Sequence, residues 1–159
     1  MRPMGTDFYP LLYPWTMELV VVSDFDGTLI EVDSVDYIME RFAQGDWKAW
    51  DDLYNRREIP IQECLKHQFP MIKLPRERII EELDEVVAPR PHFQDLIARL
   101  EGKGIRFIVA SAGFDFYIRH FLKSRGLPGV DCVAPKTIFT RNGLDIEFPP
   151  LGDPEAANH

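Results

Sequence analysis

The stretch "VVVSDFDGTLI", Val20 to Ile30, sets two aspartates and a glycine directly behind a run of valines. Glu18 to Ser23 is short, β-branched and without alternation, the pattern of a strand buried on both faces of a parallel sheet. At the carboxyl end of such a strand, side chains open into the crevice where α/β folds bind ligands. Asp24 and Asp26 stand there. Being two residues apart they leave the strand on one side, and Gly27 lets the backbone bend tightly round a shared centre.

Working outward, "IRFIVA" from Ile105 to Ala110 is a second buried strand. The region between the two reads as helix. Val35, Ile38, Met39 and Phe42 share one face, Trp47, Trp50 and Tyr54 another, and Ile79, Ile80, Leu83, Val86 and Val87 a third. Pro60 and Pro75 sit where first helical turns begin, so residues 34–88 are expected to form a helical insert. Phe93, Leu96, Ile97 and Leu100 mark a helix closed by Gly102 and Gly104 that feeds the second strand. A further helix carries Tyr117, Ile118, Phe121 and Leu122 inward and ends at Gly126. "TIFTRNGLDIEF" is a hairpin around Asn142 and Gly143. The order of elements predicts a doubly wound, Rossmann-like α/β core at 18–33 and 89–159, an N-terminal extension at 1–17, and a cap at 34–88. Met17 could serve as a start residue.

The chain has 159 residues, 45% of them hydrophobic, a size able to bury roughly 70% of its unfolded surface. A formal charge of -8 without a cluster of Lys and Arg argues against nucleic acid as a partner. No apolar run approaches a membrane span, so no membrane partner is expected. Cys64 and Cys132 lack ligand spacing and read as reduced core thiols, which places the protein in a cytoplasmic, reducing setting. His92 and His120 have no ligand-spaced partner and read as structural or surface residues.

The carboxylate pair carries the chemistry. Two like charges at one point need neutralising, and Mg2+, which binds through one or two carboxylates plus substrate phosphate, would do so. Asp24 could then attack phosphorus as a nucleophile and Asp26 protonate the leaving oxygen. Calcium is excluded, because an EF-hand loop begun at Asp24 would place Leu29 at its glycine and Val35 at its bidentate glutamate. Ser111 follows the second strand and precedes a helix start, where Ala112 and Gly113 can offer N–H groups to an anion. Arg56, Arg57, Lys66, His67 and Lys73 of the insert are candidate substrate contacts or solvated helix charge.

"DFDGT", Asp24 to Thr28, resembles the DxDGT signature of the haloacid dehalogenase-like phosphohydrolases, and Ser111 after "FIVA" resembles their second motif. The resemblance implies Asp24 as nucleophile and metal ligand. Asp26 would be acid/base, with its carbonyl on the metal, Thr28 its orienting neighbour, Ser111 a phosphate ligand and Mg2+ the cofactor. Gly27, Ala112, Gly113 and Asp33 complete the expected substrate-binding set. The helical insert is similar to the cap of the phosphoserine-phosphatase-like subgroup. More narrowly, "SDFDGTLIEVDSVDYIMERFA", "IPIQEC", "VASAGFDFYI" and the hairpin are similar to the methionine-salvage phosphatases of 2-hydroxy-3-keto-5-methylthiopentenyl-1-phosphate, over about Leu19 to Pro150. Phosphoserine phosphatases usually carry Glu where this chain has Asp33.

The same resemblance calls for a third-motif Lys and a fourth-motif acidic pair. Lys123 and Lys136 lie on a helix and before the hairpin, and Gly152 and Asp153 echo only the first letters of the fourth motif. The chain therefore reads as the first two-thirds of a Mg2+-dependent phosphatase acting on a small phosphorylated metabolite through a phospho-aspartyl intermediate. A phosphotransferase of the same fold and a noncatalytic phosphate-binding domain are the alternative readings.

Overall fold

In a computed structural model, residues 19–149 are described. The expected N-terminal extension and the Gly152–Asp153 echo lie outside them. Strand β1 (Val20–Ser23) is followed by four helices, α1 (Ser34–Phe42), α2 (Trp47–Asn55), α3 (Ile61–Gln68) and α4 (Arg76–Val86), with a 3-10 turn at Phe69–Met71. Then come α5 (Phe93–Glu101), β2 (Arg106–Ala110), α6 (Asp115–Ser124), β3 (Asp131–Val133), β4 (Lys136–Thr140) and β5 (Gly143–Glu147).

Local chemistry sets these boundaries. Asp33 caps α1, accepting from the N–H groups of Val35 and Asp36, and Asp46 caps α2 through Ala49. Pro60 and Pro75 are the cap residues of α3 and α4, where a missing N–H costs nothing. Gly104 and Gly126, with φ of 67° and 76°, take the left-handed conformation that ends helices.

Strands β1, β2 and β3 form one parallel sheet in that order. Val20 to Ser23 pair with Arg106 to Val109. The expectation that β1 is buried on both faces is corrected: Val20 is 40% and Val22 62% exposed, with Leu19 also at 62%. The cause is position, since among the described residues β1 is the sheet's edge and pairs with β2 alone. Val86 and Leu96, read as inward, are likewise exposed. The core proper is aromatic and aliphatic, with Phe25, Phe114, Tyr117 and Phe121 essentially inaccessible beside Ile30, Ile79, Leu83 and Ile97.

The hairpin pairs Thr140 with Gly143, so its two loop residues are Arg141 and Asn142, one position before the expected Asn-Gly turn. Gly143 adopts φ 121° because it packs against the 3-10 turn of the insert, where an added Cβ would lie 2.9 Å from the Ile72 carbonyl oxygen. The Leu144 N–H donates to that same carbonyl at 3.1 Å. The hairpin is thus bonded to the cap as well as to the core, where the Thr137 N–H donates to Asp115 Oδ1 at 2.9 Å.

Candidate active site

The register of β1 against β2 builds the site. Ser23 lies opposite Val109, so the two strands end side by side and residues 24–26 and 111–113 emerge at one crevice. Phe25 points the other way. Fully buried, its ring meets Phe121 edge-on at 5.3 Å and Tyr117 at 6.4 Å, which fixes the backbone between the two aspartates. Its carbonyl receives the N–H groups of Thr28, Leu29 and Ile30, closing a tight turn that needs Gly27 at φ 69°.

Asp24 Oδ1 accepts the Phe25 N–H at 2.8 Å, and the Thr28 hydroxyl donates to Asp24 Oδ2 at 3.4 Å. Thr28 therefore steadies the expected nucleophile rather than Asp26. The group that holds Asp26 is Ser34, whose N–H donates to Oδ1 at 2.8 Å, with the Ser111 hydroxyl 3.4 Å from Oδ2. Burial pushes the Asp26 carboxyl up to about 6, against hydrogen bonding from Ser34, and the charges of Asp33 and Asp24 add to the rise. Ser34 is itself buried, and nothing in its type or spacing singles it out in the sequence.

Ser111 is placed by its N–H on the Val133 carbonyl, and it is no helix cap, since α6 begins after Phe114. The Gly113 N–H donates to the Ser111 oxygen at 3.0 Å, so that amide orients the serine instead of lying open to an anion. Gly113 is glycine for a steric reason. A Cβ there would stand 2.6 Å from Asp26 Oδ2 and 3.3 Å from Ser111 Oγ.

A cavity of about 430 Å³ opens over this crevice. From the core it is lined by Asp24, Asp26, Ser111, Ala112 and Gly113; Asp33 stands where the cap begins, and the cap adds Val35, Asp36, Asp51, Tyr54, Asn55, Ile61, Leu65 and Gln68. Of the expected set, Gly27 and Thr28 shape the loop from outside the lining. None of Arg56, Arg57, Lys66, His67 and Lys73 lines the cavity, nor do Lys123 and Lys136. Residues the sequence left unremarked, Asp36, Asp51, Asn55 and Gln68, do so instead.

Arg90 is a further residue without a local signal. Its guanidinium donates to the Gly27 carbonyl at 2.9 Å and meets Glu31 at 3.4 Å, while its N–H bonds the Leu29 carbonyl. With the bridge between Ile30 and Pro89, it stitches the two chain segments that lead into and out of the cap.

For a divalent ion, the resemblance points to the Asp24 carboxylate, which is exposed, and the Asp26 carbonyl. No group of three or more His, Cys, Asp or Glu side chains able to hold a metal occurs among the described residues. Two oxygen donors beside a phosphate suit Mg2+, which binds through few protein ligands and retains water. Cys64 and Cys132 are buried, free, and raised to about 11, so both remain thiols. No described helix is long and apolar enough to cross a membrane.

The sequence and the fold both have known counterparts. A family model for haloacid dehalogenase-like hydrolases matches residues 21–153, and the chain belongs to that family. Among curated relatives, a 2-hydroxy-3-keto-5-methylthiopentenyl-1-phosphate phosphatase from Geobacillus kaustophilus is 32% identical over 132 residues, covering 82% of this chain and 56% of the relative. One of the same name from Brevibacillus brevis is 27% identical, over 89% of this chain and 64% of the relative. The chain thus spans between about half and two-thirds of the length of these relatives. Its fold is similar to that of a phosphoserine phosphatase solved as a phospho-aspartyl intermediate analogue, with TM-score 0.64, 23% identity, and coverage of 82% and 63% of the two chains. A HAD family hydrolase from Salmonella enterica serovar Typhi gives TM-score 0.69 at 16% identity, over 83% of this chain and 46% of the other.

Proposed function

We propose that the protein is a Mg2+-dependent phosphatase that hydrolyses a small phosphomonoester through a phospho-aspartyl intermediate on Asp24. The carrying observation is the pairing of an exposed carboxylate at Asp24 with a half-buried one, raised to about 6, at Asp26. A raised carboxyl beside an exposed one divides the labour, the first as acid and the second as nucleophile. An Asp24 oxygen forms the bond to phosphorus as the ester P–O bond breaks, and Asp26 delivers its proton to the departing oxygen. Asp26, now ionised, takes a proton from the water that attacks the acyl phosphate, which returns Asp24 and releases phosphate. Ser111 would hold a phosphoryl oxygen. When bound, Mg2+ on the Asp24 carboxylate and the Asp26 carbonyl would offset the negative charge gathered at phosphorus.

Hydrolysis of p-nitrophenyl phosphate with Mg2+ tests this reading. Asp24→Asn is expected to abolish phosphate release, because an amide is a poor nucleophile, and Asp26→Asn to slow it while sparing binding of inorganic phosphate. Equal turnover in both variants and the parent would contradict it. Binding of phosphate and Mg2+ with no turnover in the parent would favour the noncatalytic alternative, for which the lack of a lysine in the cavity wall among the described residues speaks.

A further inference from the structure

The turn that carries the two aspartates is held from two sides. On its inner side Phe25 is locked by the ring of Phe121, which packs in turn on Phe93 at 6.1 Å. Its outer side is Gly27. With φ 69° and, beyond its chain neighbours, no heavy atom within 4 Å of the place a Cβ would take, this residue has neither a side chain nor a close contact to fix it. The peptide that follows, between Gly27 and Thr28, is anchored within the turn by a long bond, 3.3 Å from the Thr28 N–H to the Phe25 carbonyl.

Arg90 supplies the opposing anchor. It lies 63 residues beyond Gly27, between Pro89 and Pro91, and the second of these narrows the backbone freedom of the residue before it. Its main-chain N–H donates to the Leu29 carbonyl at 2.9 Å and its guanidinium to the Gly27 carbonyl at 2.9 Å, so backbone and side chain grip one turn at two points. Its own carbonyl accepts the Phe93 N–H at 3.2 Å, which joins this outer clamp to the aromatic cluster on the inner side. The bond to Gly27 is charge-assisted, the stronger kind. The contact with Glu31 joins two exposed side chains at 3.4 Å and counts for little.

We propose that Arg90 is a positioning residue for the reaction at Asp24. By fixing the Gly27–Thr28 peptide it sets the residues on either side: Asp26, whose carboxyl must reach the departing oxygen, and Thr28, whose hydroxyl steadies Asp24. This rests on the phosphatase reading and adds to it a residue that stands outside the cavity wall.

Arg90→Gln, Arg90→Lys and Glu31→Gln test the assignment in the full chain, with p-nitrophenyl phosphate and Mg2+. Arg90→Gln keeps the main-chain bonds and loses the guanidinium. It is expected to lower kcat about tenfold or more, since misplacement of about 1 Å costs on the order of 10²-fold, and kcat and kcat/KM should fall together. Arg90→Lys keeps a cationic donor and should lie between Arg90→Gln and the parent, while Glu31→Gln should stay within about twofold of the parent. Hydrogen exchange gives a readout apart from activity. The amides of Thr28, Leu29 and Ile30, all bonded to the Phe25 carbonyl, should exchange about tenfold faster in Arg90→Gln, with α6 and the urea midpoint unchanged.

Parent-like kcat in Arg90→Gln, a loss confined to KM, or an Arg90→Lys no better than Arg90→Gln would overturn the proposal. So would an equal loss in Glu31→Gln, or a fall in global stability that accounts for the lost activity. Absence of turnover in the parent itself would be the failure of the phosphatase reading. The exchange rates would still decide the hold of Arg90 on the turn, and unchanged protection from Thr28 to Ile30 in Arg90→Gln would sink it.

Discussion

Asp26 occupies the space that a side chain at position 113 would require, with its Oδ2 2.6 Å from where a Cβ on Gly113 would lie. Gly113→Ala should therefore push the carboxylate aside while the backbone, which has no such clash, stays in place. Because a displacement of about 1 Å at a reacting group costs on the order of 10²-fold, aryl phosphate hydrolysis should fall by about that factor. Far-UV dichroism and cooperative melting should persist. Parent-like turnover in the variant would show that Asp26 is not held where the chemistry needs it.

The raised Asp26 carboxyl makes stability depend on pH with a definite sign. Its ordinary value is 3.8 and its folded value about 6. Between them the folded state binds more protons than the unfolded state, so stability falls as pH rises through that window. Asp26→Asn removes the penalty and keeps an oxygen for the Ser34 N–H. The variant is expected to be more stable than the parent by about 2 to 3 kcal/mol above pH ~6, with the gain vanishing below pH ~4. Urea midpoints across this range check it, and a constant difference at all pH values would contradict it.

Gly143 ties the hairpin to the cap through a backbone conformation that other residues avoid and a contact with the Ile72 carbonyl that leaves no room for a methyl group. Gly143→Ala should cost about 2 kcal/mol or more. Denaturant unfolding measures it. A loss under half a kcal/mol would mean that the hairpin does not bear on the cap.

Among the described residues, the edge strand carries Val20 and Val22 on one uncovered face, beside backbone groups that no second strand pairs. Such an edge invites pairing with another chain. Concentration-dependent association is expected for the parent, and Val22→Lys should reduce it with a change in stability within about 0.5 kcal/mol. Light scattering that is flat for the parent and the variant alike would contradict this.

Much of this architecture could be read from local pattern. The valine run, the in-phase aspartates and the stripes of α1, α5 and α6 each follow from periodicity, because backbone geometry sets which side chains share a face. Pattern cannot report partners. Val20 and Val22 are as β-branched as any central strand, and their exposure depends on what lies alongside β1. Tyr54 belongs to the same stripe as the buried Trp47 and yet lines the cavity, because α2 rests at its edge. Asp36, Asp51 and Gln68 are ordinary polar helix residues in sequence, and only the packing of α1, α2 and α3 brings them together over Asp24. Arg90 reaches Gly27 across a separation that no local motif spans.

The central claim is that Asp24 carries the phosphoryl group during the reaction, and mapping a trapped intermediate tests it most directly. The protein is mixed with Mg2+ and an aryl phosphate, quenched in acid, digested, and its phosphorylated peptide sequenced by mass spectrometry. The account requires the adduct on Asp24, absent from Asp24→Asn and enriched in Asp26→Asn, where the second step lacks its base. A phosphoryl group on any other residue, or an adduct that survives in Asp24→Asn, would contradict it.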